Sequence, residues 1–347
     1  MPTTSFDTFF ACTIIVAAAL IATAFLGSTM QARINNTQDI NKDSYLKAIA
    51  QHIITNPGTP LNWGTSNGVP EDFGLATSPS TIPYELDLDK ICRLNNQNNY
   101  SLSYFEISNA AKLNNIALGI TVSQILSINI EQSDNHTIGN QVSYTFTIST
   151  NIGSKPTSAS LHCYVAANSY LSDITNNTSN TGVGHITVQL PNAATGNALL
   201  IVFARTSFDD RITSYAIYNF AYSAQESTPS SAVLALSPLN YTLSIIPNSP
   251  DVTIQKGYIF SYTYQENITS ASSTECPIPK IIDKSPLVMV ICGLNGTTYF
   301  QEWTSYPLIP LRAGSDFDGS EKNVFGYIVT IKETLYKLDI SFGDVIY

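Results

Sequence analysis

The chain has 347 residues, of which only 12% are charged, and its formal net charge is -10 at pH 7. Because the sequence has no basic run and no basic helix face, nucleic acid is excluded as an expected partner. The many Tyr, Phe, Thr, Val and Ile side chains favour β structure, since branched and aromatic residues fit a pleated, half-buried surface.

The first structural signal is an apolar stretch, residues 9–30, without a charged side chain. About 20 such residues cross a hydrocarbon core of roughly 30 Å, so residues 1–32 are predicted to form a short stub and one transmembrane helix. Two alternatives remain open. One is a cleaved secretory signal, with Ala22-Thr23-Ala24 as its small-x-small site, and the other is the core helix of a soluble domain, which the lack of a polar face disfavours.

The predicted span fixes the expected location and partners. We expect a single-pass protein of the cell membrane, in contact with lipid, with the bulk of the chain extracytoplasmic. Small residues four positions apart, such as Ala18 and Ala22 or Thr23 and Gly27, would let a second helix approach closely. Self-association through the span is therefore one hypothesis for a protein partner.

A juxtamembrane region, residues 33–133, is predicted next. Asp39–Thr55 has helical periodicity and ends at Asn56-Pro57-Gly58, which indicates a stalk helix. Beyond it, Tyr104–Ile116 is predicted to be a short helix, and Ala117–Ile130 is predicted to form one strand or two.

The segment after the stalk carries a recognisable pattern: Pro57-Gly58, then Pro60, Asn62-Trp63 and Phe73-Gly74-Leu75-Ala76. Following an apolar helix, this pattern resembles the juxtamembrane region of archaeal type IV pilin-like single-span cell-surface proteins. The resemblance covers roughly residues 6–120 and implies a β-rich extracytoplasmic domain with a structural or adhesion role. Trp63 is expected to lie at the membrane interface, where tryptophans are enriched.

Two tandem β domains are predicted after residue 133. In residues 134–224, apolar and polar side chains alternate from Val142 to Ser149, and further strands follow at the spacing of an immunoglobulin-like sandwich. Gln225–Ser231 is typical of a linker, and a second immunoglobulin-like sandwich is predicted at 232–347. Within it, the continuous apolar run Leu287–Cys292 indicates a central strand. The fold class is therefore mainly β with N-terminal α structure.

Four cysteines lie beyond the predicted span and permit two disulfides. The favoured pair is Cys276 with Cys292, because it would close a short loop, which leaves Cys92 with Cys163. The alternative is that Cys163 and Cys292 are buried small hydrophobes in strands.

Eight Asn-x-Ser/Thr sequons are candidate glycosylation sites, although a chain this rich in Asn, Ser and Thr yields several by chance. They are Asn35, Asn99, Asn135, Asn176, Asn177, Asn240, Asn267 and Asn295.

Candidate chemistry is sparse. Asp316, Asp318 and Glu321 flank a glycine and are the residues that would bind calcium, the one cofactor considered; the alternative for this segment is a polar hairpin tip. The sequence contains no recognisable nucleophile motif or Gly-rich phosphate loop, so a non-enzymatic structural or adhesion protein is the first hypothesis. A cell-surface binding module for glycans or for a membrane protein is the alternative, and an extracytoplasmic hydrolase is the third.

Overall fold

The computed structural model describes residues 20–21, 23–25, 42–80, 82–113, 116–167, 170–191, 196–222, 233–268, 274–280, 283–315, 317 and 322–344. The chain divides into two compact units, residues 1–51 and 52–347. Among the described residues, no helix has both the length and the apolarity needed to cross a bilayer. The predicted span at 9–30 lies almost wholly outside those residues.

The N-terminal elements combine short helices with the first strands. They are α1 (42–55), a 3-10 turn at Trp63–Thr65, β1 (Glu85–Leu86), α2 (Leu88–Cys92), α3 (Tyr104–Ala110) and β2 (Ile116–Gln124). Helix α3 begins with a capping box, in which Ser103 and Glu106 satisfy each other's backbone N–H groups. The predicted helix at Tyr104–Ile116 is confirmed for its first seven residues, and the predicted stalk helix is confirmed from residue 42 onward.

Sandwich 1 is formed by two sheets that face each other. Its strands are β3 (Leu126–Ile138), β4 (Gln141–Ile152), β5 (Lys155–Pro156), β6 (Ala159–Ala167), β7 (Tyr170–Asn177), β8 (Val183–Pro191), β9 (Gly196–Thr206) and β10 (Thr213–Tyr222). Strand β4 lies between β3 and β8 in one sheet and also pairs with the short β5, while the other sheet has the order β10-β9-β6-β7. Alternate side chains of β4, including Tyr144, Phe146 and Ile148, point into the core between the sheets. The predicted one-sided burial of this strand is thus confirmed.

Sandwich 2 is built in the same way, and the predicted linker, Gln225–Ser231, lies outside the described residues. Its strands are β11 (Leu234–Leu239), β12 (Thr242–Pro247), β13 (Val252–Phe260), β14 (Gln265–Ile268), β15 (Glu275–Pro277), β16 (Leu287–Asn295) and β17 (Thr298–Tyr306). The sheets have the orders β11-β12-β15 and β14-β13-β16-β17. Leu243, Ile245, Met289, Ile291 and Phe300 are among the side chains that fill the core.

The two sandwiches repeat one topology. Numbering the main described strands from one to seven in each, and leaving out the short β5, strands one, two and five form the smaller sheet. Strands four, three, six and seven form the larger sheet in that order. We find no matching repeat in the amino-acid sequence, so the similarity is one of strand order.

The larger sheets of the two sandwiches pack against each other, and we call the layer between them the junction. Sandwich 1 contributes Tyr164, Leu199, Ile201, Phe203 and Tyr215, and sandwich 2 contributes Tyr258, Phe260, Val288, Val290 and Cys292. In β9 and β16, successive side chains therefore point alternately into a sandwich core and into the junction. Burial on both faces explains the continuous apolar runs of these strands, as predicted for Leu287–Cys292.

The last three strands do not join the sheets of sandwich 2, although the sequence predicted one sandwich at 232–347. Strands β18 (Leu311–Gly314), β19 (Lys322–Ile331) and β20 (Thr334–Asp344) join β1 and β2 in a separate sheet of order β1-β19-β20-β2-β18. Strand β20 pairs with β2 over its whole central part, from Ile120 opposite Ile340 to Val122 opposite Leu338. The chain thus returns from sandwich 2 to the region that precedes sandwich 1, which alternation alone could not reveal.

Candidate functional site

A groove of about 540 Å³ opens beside the junction, where residues from both sandwiches and from the loop after α2 converge. This volume lies within the range of roughly 300–1,000 Å³ that is usual for small-molecule sites. Of the described lining side chains, five are amides: Gln97, Asn197, Asn219, Asn248 and Gln301. The groove is the candidate functional site.

One wall of the groove is the outer face of the larger sheet of sandwich 1. Asn197 and Leu199 are two positions apart on β9, so their side chains share a face. Asn219 of β10 lies directly opposite Leu199 in the antiparallel register and points to the same side. The two asparagines therefore stand on the surface that continues into the apolar junction.

The facing wall is strand β17 of sandwich 2. Gln301 and Trp303 lie opposite Cys292 and Val290 of β16, two residues whose side chains enter the junction. The side chains of Gln301 and Trp303 therefore project toward sandwich 1. Trp303 remains 44% exposed and makes an edge contact with the ring of Tyr215, at 6.5 Å between centroids.

Gln301 links the two sandwiches. Its Nε2 donates to the carbonyl oxygen of Ala166 in sandwich 1, at 3.2 Å, and to the hydroxyl of Tyr299, at 3.0 Å. Its Oε1 is buried and accepts no hydrogen bond from the described residues. An unsatisfied buried acceptor of this kind costs stability and is unusual in a folded protein.

The third wall comes from β11 with its neighbours Asn248 and Gln97. Here Glu302, which points away from the junction, accepts hydrogen bonds from the backbone N–H groups of Val233 and Leu234. Burial raises the pKa of the Glu302 carboxyl, although these two hydrogen bonds oppose the shift. The carboxylate thus fixes the start of β11. It is the single acid among the described lining residues.

An ion pair at the junction holds the sandwiches together on another side. Arg205 of β9 donates from Nη2 to Oδ1 of Asp283, at 2.7 Å, and its guanidinium lies 3.9 Å from the ring centroid of Tyr262. Asp283 Oδ2 also accepts from Ser261 Oγ and Ser285 Oγ. Burial alone would raise the pKa of Asp283, but the hydrogen bonds from Arg205 and Ser285 and the charge of Arg205 outweigh it and lower the pKa.

Trp63 was predicted to lie at a membrane interface, but its side chain packs inside the protein. Its side chain is fully buried, and its Nε1 donates to the carbonyl oxygen of Gly74, at 3.1 Å. The Lys90 ammonium and the Arg93 guanidinium lie 5.8 Å and 5.6 Å from the centre of its ring. The pattern that the sequence presents around Asn62-Trp63 and Gly74 therefore builds a packed core.

Lys90 is the unusual member of that core, because it is completely buried. Its Nζ donates to the carbonyl oxygens of Pro57, at 2.7 Å, and Ala76, at 2.8 Å. Burial lowers the pKa of Lys90, while the nearby charge of Asp87 opposes the shift. The close approach of Gly74 to this segment is also specific, since a Cβ there would lie 2.1 Å from the carbonyl oxygen of Asn56.

The predicted disulfides are not formed, and the four cysteines of the described residues are buried thiols. Cys276 lies in the core of sandwich 2 and Cys292 in the junction, on the other face of the larger sheet. Cys163 belongs to the core of sandwich 1 and Cys92 to that of sandwich 2. Each predicted pair is thus split between two separate apolar layers, and burial raises the pKa of the Cys163 thiol to about 12.

The sequon asparagines are placed at the surface wherever they are described. Asn99, Asn135, Asn176, Asn177, Asn240, Asn267 and Asn295 are all exposed, and Asn35 lies outside the described residues. The candidate calcium ligands Asp316, Asp318 and Glu321 also lie outside them.

The tyrosines and histidines add no second site in the described residues. Tyr144 and Tyr306 fill the sandwich cores and Tyr164 fills the junction, so the role of these three rings is structural. His162 stacks on Tyr164 at 4.6 Å between ring centroids, whereas His52 is 3.4 Å from Asp72 near the end of α1.

The groove residues were not recognised from the sequence. Asn197 and Asn219 are ordinary polar positions in alternating strands, and their importance depends on which sheet packs against them. Trp303 gave the one available signal, because it is one of two tryptophans in the chain.

Comparisons with known proteins identify no family. No protein-family model matches the chain. No curated protein matches it either. The solved structures that it resembles include HBP35 of Porphyromonas gingivalis, with a TM-score of 0.20 and 12% identity over 52% of this chain and 63% of that one. They also include the chicken CNTN1 FN1-FN3 domains, with a TM-score of 0.18 and 10% identity over 50% and 65%.

A third similar structure is red sea bream transglutaminase, with a TM-score of 0.22 and 11% identity over 61% of this chain and 32% of that one. The chain spans less than two thirds of the length of each of these three proteins. At such low scores the similarities carry no argument about function.

Proposed function

We propose that the chain is a non-enzymatic, membrane-anchored extracytoplasmic protein with a structural or adhesion role, of the pilin-like kind. The observation that carries this proposal is the junction, where two sandwiches of the same topology are packed through an apolar layer rich in aromatic rings. A layer of this kind holds two domains in one fixed arrangement, which suits a rigid structural or adhesive component of a surface.

The finer fold assignment belongs to the same proposal. Seven main strands divided into sheets of three and four around one core are typical of immunoglobulin-like and fibronectin-type sandwiches, which recur in cell-surface proteins. We assign both sandwiches to this class from their strand order. The exposed sequon asparagines are compatible with a glycosylated outer surface.

Location is tested first, with full-length protein carrying a C-terminal epitope tag in its own cells. We expect the protein in the membrane fraction, released by detergent and not by salt, and we expect protease added to intact cells to remove the tag while a cytoplasmic marker survives. Recovery in the aqueous fraction without detergent, or a tag protected from protease, would contradict the proposal.

Self-association through the span is tested by crosslinking in the same membranes. We expect multimers that disappear in Ala22→Leu, because a bulky side chain would block close approach of two helices. Ala11→Leu is the matched control, because the residues four positions away, Asp7 and Ile15, are not small. If crosslinking of the unsubstituted protein gave only monomers, self-association would be excluded from the proposal. The proposed surface location would not be affected.

A surface binding module is the second candidate, and the groove is the observation that favours it. Glycoside hydrolysis is not supported at this groove, because that reaction uses two carboxylates and the described lining offers Glu302 alone, already bonded to backbone N–H groups.

A further inference from the structure

We infer that the groove is a binding site for a neutral oligosaccharide of two or three sugar units, held by its amide side chains and by the ring of Trp303. The inference rests on the proposed function, since it names the ligand through which a surface protein of this kind would adhere. It is carried by the amide side chains of the lining, by the exposed part of the Trp303 ring, and by the absence of cationic side chains from the described lining.

The amides match the hydroxyl groups of a sugar. A sugar hydroxyl both donates and accepts hydrogen bonds, and an Asn or Gln side chain offers two donors and an acceptor. Asn197 and Asn219 stand on one wall and Asn248 on another, so a ligand between them would be contacted from both sandwiches. Among the described residues, the side chains of Asn197 and Asn219 make no hydrogen bond to the protein. These groups are therefore available to a ligand.

Gln301 is a fixed amide of the lining. Its Nε2 donates to the carbonyl oxygen of Ala166 and to the hydroxyl of Tyr299, and its Oε1 is buried. These contacts hold the side chain in place, so it shapes the groove and ties the two sandwiches together at that point.

Trp303 gives the groove an aromatic surface. Its ring is anchored at one edge against Tyr215 and is otherwise about half exposed. A ring of this kind offers a large apolar face, against which the C–H face of a pyranose can pack. Leu199 and Leu234 extend the apolar surface on either side. Alternating apolar and amide groups are what a sugar, with its C–H faces and hydroxyl rim, requires.

Charge selects the neutral class. The described lining contains no Lys or Arg, and its one acid, Glu302, is engaged by the start of β11. The chain as a whole carries a net charge of -10. A sialylated, sulfated or phosphorylated ligand would lose its hydration without gaining a counter-charge, so it is disfavoured.

The test uses intrinsic fluorescence, because the chain has two tryptophans and Trp63 is fully buried. Full-length protein in detergent, with any N-glycans removed enzymatically, is titrated with neutral trisaccharides built from glucose, mannose, galactose or N-acetylglucosamine, and with the anionic sialyllactose. We expect a saturable change in emission with at least one neutral trisaccharide and a far weaker response to sialyllactose.

Variants assign the response to the groove. Asn219→Ala is expected to weaken binding at least tenfold, and Trp303→Phe is expected to remove the fluorescence change and to weaken binding measured by calorimetry. Gln141→Ala, an exposed amide on the other sheet of sandwich 1, is the control and should bind like the parent. Unchanged circular dichroism and thermal midpoints show that each variant is folded.

Three results would overturn the inference. The first is that no neutral trisaccharide binds saturably at concentrations up to about 10 mM, because a dissociation constant above that value corresponds to almost no binding free energy. The second is that sialyllactose binds as tightly as the best neutral ligand. The third is that Asn219→Ala and Gln141→Ala bind with equal affinity. Failure here leaves membrane location untouched. Conversely, an aqueous full-length protein that binds trisaccharide would remove the proposed location and keep the groove.

Discussion

Truncation of Phe260 probes whether the junction stabilises both sandwiches. Its ring is fully buried and lies 4.8 Å, between centroids, from the ring of Tyr164 in the other sandwich. Phe260→Ala should lower the free energy of unfolding by about 3–5 kcal/mol, the usual cost of removing a buried aromatic ring and leaving a cavity. Part of this loss, about 0.5–1.5 kcal/mol, belongs to the aromatic pair itself.

Denaturant unfolding measures both quantities. Tryptophan fluorescence reports on Trp303 in sandwich 2 and on the buried Trp63 in the N-terminal core, and circular dichroism reports on all the sheets. Coincident transitions are expected if the sandwiches unfold as one unit. A double-mutant cycle with Tyr164→Ala isolates the pair energy. Phe208→Ala, at a phenylalanine that is 67% exposed, is the control and should cost less than about 0.5 kcal/mol.

Phe260→Leu serves as the milder variant if the alanine protein does not fold, with an expected loss of about 1–2 kcal/mol. If Phe260→Ala lowered the free energy of unfolding by less than about 1 kcal/mol, the reasoning would be refuted, because truncation of a buried aromatic ring usually costs several times more. Strict additivity with Tyr164→Ala would refute the contact between the two sandwiches.

Three further predictions concern buried polar groups. Lys90→Met should destabilise the fold by about 2–5 kcal/mol in thermal or denaturant unfolding, because two buried carbonyl oxygens lose their donor. The control is Lys112→Met, which should be nearly neutral because the Lys112 side chain is 75% exposed. Equal losses of stability in the two variants would contradict a structural role for the buried Lys90 ammonium. The lowered pKa of Asp283 means that its contribution is fully present above the unfolded-state pKa of about 3.9 and is lost as the pH falls through the folded-state pKa. Unfolding midpoints should therefore fall more steeply below pH 4 in the parent than in Asp283→Asn, and parallel curves would argue against the ion pair. Alkylation in denaturant without reductant, read by mass spectrometry, should modify Cys92, Cys163, Cys276 and Cys292. If none of these four thiols were modified, the two predicted disulfides would be present after all.

Most strands could be predicted from side-chain period. The alternation around Tyr144 and Phe146 marked a strand buried on one face, and the run Leu287–Cys292 marked a strand buried on both. These patterns can be read from the sequence because the burial of each face of a strand determines the side chains of that strand alone.

Strand partners could not be predicted in the same way. Tyr336 and Leu338 alternate with polar residues, which is typical of a strand. The pattern does not tell which strand lies beside it, and that neighbour is β2, more than two hundred residues earlier. Cysteine spacing misled for a related reason, because Cys276 and Cys292 are near in sequence but face different layers. Pairing depends on packing between sheets, which no local pattern encodes.

The candidate site depended on such packing entirely. Asn219 and Gln301 come from different sandwiches, and each is an unremarkable amide until the two larger sheets meet. Trp63 is the converse case. Its position after a helix and a Pro-Gly turn suggested an interfacial anchor, whereas the buried Lys90 and Arg93 around it show a structural role.

Native-state hydrogen exchange of β9 and β16 tests the stacked arrangement most directly. These two strands lie in different sandwiches, and each is covered on one face by its own core and on the other by the junction. We predict that their central amides, in Leu199–Phe203 and Val288–Ile291, exchange through the same global opening with equal free energies. Rapid exchange in one strand while the other stays protected would show that the sandwiches open separately, and the stacked unit with its groove would have to be abandoned.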